Sequence, residues 1–133
     1  MGTAGTGPIA ENLACAASER IASFISAPNT ANCSDCTPAR PVPLLTFTGD
    51  PDQSTTTDLV TRWSVINGCD PEPAAEDLGS GVLRKTFQNC EADMLFYDIQ
   101  GMGNCFAFHD SKGPAAGWIC EYEVFDYLED AVK

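Results

Sequence analysis

Seven cysteines in 133 residues constrain this chain more than any other feature of its sequence. They stand at Cys15, Cys33, Cys36, Cys69, Cys90, Cys105 and Cys120. Free thiols at that density are unusual in the cytosol, whereas disulfides are the ordinary outcome in a secreted, luminal or otherwise oxidising compartment. The competing use of close cysteines is a metal knuckle, and Cys33-Ser34-Asp35-Cys36 has that spacing. A closed zinc site takes about four ligands, and the single histidine, His109, is far along the chain. The expectation is therefore a disulfide-stiffened fold with no metal and no cofactor. An odd count leaves one thiol free or paired to another chain. Asn32-Cys33-Ser34 reads as a glycosylation sequon, which makes Asn32 a candidate acceptor in the same compartment.

Length sets one domain, 1–133, and a hydrophobic content of 44% is enough for a core. The apolar runs are short and broken by proline, glycine and charge, so none spans a membrane. No basic stretch followed by an apolar one precedes the first motif, so the chain is expected to be mature, truncated or made without a cleaved signal. Nineteen acidic against seven basic residues give a net charge of −12. Nucleic acid is disfavoured as a partner, because counterion release needs lysine and arginine clusters that this sequence lacks. The acidity itself implies solubility and no particular chemistry.

Gly2 to Gly7 reads as a glycine-threonine turn, with Pro8 placed to open a helix. Ile9, Leu13, Ala16 and Ala17 mark one apolar face of that helix, which runs to about Ser18. Ala22–Ser26 reads as a short strand, Pro28–Pro43 as a loop, and Leu44–Thr48 as a buried strand. Leu59, Val60, Trp63 and Ile66 have helical spacing, with Thr57 or Asp58 as the cap and Gly68 as the stop. Asp70–Gly81 reads as an acidic loop. Val82–Phe87 and Met94–Ile99 read as two strands, most simply an antiparallel pair. Val124, Phe125, Leu128 and Val132 line one face of a last helix. Alternation of strands and helices implies an α/β fold with parallel strands and an added antiparallel hairpin.

Four motifs carry a resemblance. Gly2-Thr3-Ala4-Gly5-Thr6-Gly7 is followed by Asn12-Leu13-Ala14-Cys15. Pro41-Val42-Pro43 leads through a strand to Gly49-Asp50-Pro51-Asp52. Trp63 precedes Asn67-Gly68-Cys69, with Cys90 beyond the acidic stretch. Tyr97-Asp98-Ile99-Gln100-Gly101-Met102-Gly103-Asn104 closes the set. Together they resemble the C-terminal half of the feruloyl esterase and poly(3-hydroxybutyrate) depolymerase branch of the α/β hydrolases. The resemblance covers nearly the whole chain and implies a partial α/β-hydrolase fold, as a single truncated domain.

In that family the first motif is the nucleophile elbow, whose glycines allow a tight strand-to-helix turn with serine at its apex. Ala4 stands at the apex here, and a methyl group cannot attack a carbonyl. Thr6 stands where the family has a glycine. Asp52 falls at the position of the triad carboxylate. Asn104 stands where the family has its histidine, and an amide has no nitrogen that accepts a proton. The resemblance thus implies a degenerate triad at Ala4, Asp52 and Asn104 and no catalytic residue. It also implies a disulfide between Cys69 and Cys90, with Trp63 as core. Cys105 and Cys120 are expected to pair; Cys33 and Cys36 either bond locally or one of them reaches Cys15. Each bond would stabilise the fold by about 2–4 kcal/mol in the chain-entropy picture.

Three functions follow. The first is a pseudo-hydrolase acting as a structural or interaction subunit of a larger assembly. The second is a binding module that holds an aromatic or sugar-like ligand in a remnant pocket around Ala4, Asp52 and Asn104. The third is a residual carboxylic ester hydrolase with a relocated nucleophile or base at Cys105 or His109. For the first, the strand that precedes the elbow in the resembled fold is expected to be absent here, which would leave the edge at Ala22–Ser26 open. A protein partner is expected to cover that edge near Phe24 and Ile25.

Overall fold

The computed structural model describes residues 7–26, 35–49, 53–101, 126–127 and 129–130. Helix α1 (Gly7–Ala16) and a short 3-10 turn (Ser18–Arg20) lead to strand β1 (Phe24–Ser26). Strand β2 (Leu44–Gly49), helix α2 (Gln53–Ile66), and strands β3 (Ala74–Gly79), β4 (Val82–Thr86) and β5 (Met94–Ile99) follow. They form one mixed sheet in the order β1-β2-β5-β4-β3. β1, β2 and β5 run parallel, and β5, β4 and β3 are joined antiparallel. The expected α/β class, parallel strands and antiparallel hairpin are all present. Residues 126, 127, 129 and 130 are helical; the four apolar residues expected on the last helix lie outside the described residues.

Alternation along the strands divides the core in two, because successive side chains leave opposite faces of a sheet. Phe24, Leu44 and Met94 face the helices and pack with Ala14, Leu59, Val60 and Trp63. Phe24 meets Trp63 at a ring-centroid separation of 4.5 Å, so Trp63 is core. Ile25, Leu45, Phe47, Tyr97 and Ile99 form the opposite layer with Val82 and Tyr127.

Four expectations are corrected. Phe24 and Ile25 are 3% and 1% exposed, so the chain buries both side chains itself. What remains at that border is backbone: β1 is terminal in the sheet, with no strand beyond it among the described residues. On α1, Ile9 and Leu13 are 57% and 53% exposed, while Glu11 and Ala14 are buried. The buried face is the one whose carboxylate is bonded to α2, not the more apolar one. Helix α2 starts at Gln53 rather than near Thr57; its first turn carries serine and threonine, which suit a helix start but give no apolar periodicity. The acidic stretch contains β3, exposed along its whole length. Ser80 and Gly81, both at positive φ, turn β3 into β4 in the two-residue geometry that matches strand twist.

The end of α2 explains Asn67-Gly68-Cys69. Gly68 has a φ of +63°. Its N–H donates to Val65 O (3.1 Å), and the Cys69 N–H donates to Ser64 O (2.9 Å). This is a Schellman cap, which closes the helix with a left-handed residue. Asn67 is fully buried. Its Nδ2 donates to Val42 O (2.9 Å) and its Oδ1 accepts from Val42 N (3.2 Å). The amide therefore satisfies both backbone groups of the residue that enters β2. Cys69 then bonds to Cys90 across a Cα separation of 4.0 Å.

Asn67→Leu leaves the Val42 N–H and C=O buried without partners, at about 1–3 kcal/mol each. Urea unfolding is expected to show a loss of about 3 kcal/mol or more by that reckoning. Gly68→Ala forces a side chain into the left-handed region and should cost about 1–2 kcal/mol. Equal stability of the wild type and Asn67→Leu would remove this amide from the list of what holds α2 to β2.

Candidate functional site

In parallel α/β sheets, ligands gather outside the carboxyl ends of the strands. Here β2 and β5 end side by side, with Thr48 beside Asp98 and Gly49 beside Ile99. Asp52 follows Gly49 by three residues and Asn104 follows Ile99 by five, so the two loops leave the sheet from adjacent strand ends. Ala4 precedes the start of α1 by three residues. Ala4, Asp52 and Asn104 themselves lie outside the described residues, as do Asn32, Cys33, Cys105, His109 and Cys120. The structure brings together the two strand ends and leaves the geometry of the three positions undescribed.

The helix-facing side of the sheet changes character toward this edge. Near the amino ends it is Phe24, Leu44 and Met94; toward the carboxyl ends it becomes Ser26, Thr46 and Thr48, all buried. Thr46 Oγ1 donates to Ser26 O (2.6 Å), and Thr48 Oγ1 to Gly49 O (3.2 Å). These threonine hydroxyls serve backbone carbonyls, and no histidine among the described residues could activate them. Lys85 and Asp98 pair at 3.4 Å on the part-buried face beyond, with the ammonium 5.1 Å from the Phe96 ring centroid. Among the described residues, no group of three or more histidine, cysteine, aspartate or glutamate side chains is placed to hold a metal ion.

A buried acid not singled out by its sequence context joins the two helices. Glu11 is 2% exposed. Its Oε1 accepts from Trp63 Nε1 (3.1 Å), from Arg62 Nε (3.0 Å) and from Arg62 Nη2 (3.0 Å). Burying a carboxylate is costly unless charged and polar partners replace the water it loses. The helical pattern points instead to Ile9 and Leu13, and a lone glutamate among alanines carries no signal of burial. The second disulfide, Cys15–Cys36, with a Cα separation of 5.5 Å, fixes the end of α1 to the strand-entry segment. It realises the alternative in which one cysteine of the Cys33/Cys36 pair reaches Cys15. Ser18 Oγ accepts from Ala39 N (2.9 Å) beside it.

The chain matches no protein-family model, no curated protein and no solved structure.

Glu11→Ala strands the Trp63 N–H and the partly buried Arg62 guanidinium. It should cost about 1.5–3 kcal/mol, the range for bonds to a charged group. Glu11→Gln keeps an acceptor for the indole and should lose about half as much. Denaturation followed by tryptophan fluorescence distinguishes the two, and equal losses would show that only the charge matters.

Proposed function

We propose that this chain is a catalytically inactive, esterase-like protein that acts as a structural or interaction subunit of a larger assembly in a secreted or luminal compartment. The observation that carries the reading is the pair Ala4 and Asn104 within motifs whose flanking residues resemble those of an esterase. Attack and proton transfer are lost together when serine and histidine are both replaced. The parallel run β1-β2-β5 and the adjacent ends of β2 and β5 are compatible with such an origin. So is the Cys69–Cys90 bond, which the resemblance implies. Two disulfides also suit an oxidising compartment.

The interaction side of the proposal rests on one border of the molecule. β1 is the terminal strand there, and α1 packs against it while turning Ile9 and Leu13 outward. These two residues are one helical turn apart and form a small apolar stripe. Covering each would gain up to about 1.5–3 kcal/mol. A partner polypeptide that lies along α1 and the backbone edge of β1 would use both features.

Turnover of short acyl and feruloyl esters is expected at the buffer background. A rate well above it, abolished in Cys105→Ala or His109→Ala, would overturn the inactive reading. Restoring Ala4→Ser and Asn104→His together should recover little. Light scattering of the native chain is expected to show association that Ile9→Glu and Leu13→Glu weaken. A monomer with a cooperative melt at micromolar concentration, without additives, would count against a subunit role.

A further inference from the structure

A second candidate site lies at the opposite end of the sheet and is independent of the esterase reading. Where β5 begins and β4 ends, Phe87, Met94 and Leu95 line a cleft of about 320 Å³, together with Asp93, Asp130 and Tyr127. That volume lies at the small end of the range for small-molecule sites. Its walls are largely apolar, its two charged lining residues are both carboxylates, and no lysine or arginine lines it among the described residues.

Tyr127 supplies an independent observation. It is 8% exposed and belongs to the sheet layer with Leu45, Phe47 and Tyr97. Its hydroxyl is buried with no hydrogen-bond partner. Such a group costs about 1–3 kcal/mol and calls for an explanation. Burial pushes its phenol well above the ordinary value, and the negative charge of Asp93 adds to that shift. The ring therefore presents a neutral oxygen, able to accept a hydrogen bond, beside a carboxylate.

From the apolar walls, the acidic lining and the unpartnered hydroxyl, we infer that this cleft binds a primary ammonium ion carrying a compact apolar body. The body lies against Phe87, Met94 and Leu95. The ammonium has three donors: the Asp93 carboxylate neutralises its charge and the Tyr127 oxygen accepts a further N–H. An anionic ligand would be repelled by the Asp93 carboxylate.

The probe is 2-phenylethylammonium, titrated into the isotopically labelled native chain with amide shifts followed by NMR. Saturable shifts are expected at Thr86, Phe87, Asp93 and Met94. 2-Phenylethanol, with the same body and no charge, should bind about tenfold more weakly, as should methylammonium, which has the charge and no body. Asp93→Asn should weaken the probe by about fivefold to tenfold, the scale of one ordinary hydrogen bond. Tyr127→Phe should weaken it by about threefold to tenfold while leaving thermal stability unchanged or raised, since it removes an unsatisfied hydroxyl. Three results would overturn the inference. One is absence of saturation at millimolar probe; another is equal binding of the alcohol and of Asp93→Asn. The third is a set of shifts spread over Glu72, Glu76 and Asp77 that salt abolishes, the pattern of counterion condensation on an acidic chain.

Discussion

The side-chain amide of Asn67 is the contact on which the rest of the arrangement depends. Two hydrogen bonds to Val42 fix where α2 ends relative to where β2 begins. Both partners are fully buried, so water is not an alternative for either. Once that corner is fixed, the direction of α2 over the sheet follows, and Leu59, Val60 and Trp63 meet Leu44 and Met94. The left-handed Gly68 then turns the chain so that Cys69 reaches Cys90, and the Glu91 N–H donates to Asn67 O (2.8 Å). The hydrogen bonds of this corner and its covalent link converge on a few neighbouring residues.

Glu11 performs the corresponding task between the helices by electrostatics. One carboxylate oxygen, Oε1, collects an indole N–H and two guanidinium N–H groups. Helix α1 is thereby held by a polar contact beside the packing of Ala14, while Ile9 and Leu13 face outward. A protein that buries an acid and exposes two aliphatic side chains on one ten-residue helix is using specificity of contact instead of area.

How much of this was legible depended on whether a residue's burial followed from its own neighbours. The strand at Leu44–Gly49 was legible because both faces of the sheet are covered there, and Met94–Ile99 because it is covered in part. Gly68 was legible because a helix stop leaves a local mark; the Cys69–Cys90 link and Trp63 as core were expected only from the resemblance. Strand β3 left none: with all six residues exposed, no alternation records its faces, and only Ser80-Gly81 marks the turn beyond it. The outward face of α1 was misread because the deciding partner, Arg62 with Trp63, lies some fifty residues away. Ala4, Asp52 and Asn104 were singled out by the resemblance alone, and the described frame is the pair of strand ends that precede Asp52 and Asn104. The cleft at the start of β5 assembles from four separate segments and leaves no linear pattern.

The β3–β4 hairpin is solvated along all of β3, bulged between Asp77 and Gly79, and held to β4 by an ion pair between Glu76 and Arg84. No buried apolar side chain of β3 ties it to either core layer. Its opening free energy is therefore set by a few ladder bonds and not by the melting of the whole domain. The tip at Ser80-Gly81 is then a place where the polypeptide can be lengthened or interrupted while the disulfide-bonded body keeps its shape. With two disulfides holding the described body, that hairpin is where a new sequence can be inserted at least expense to the fold.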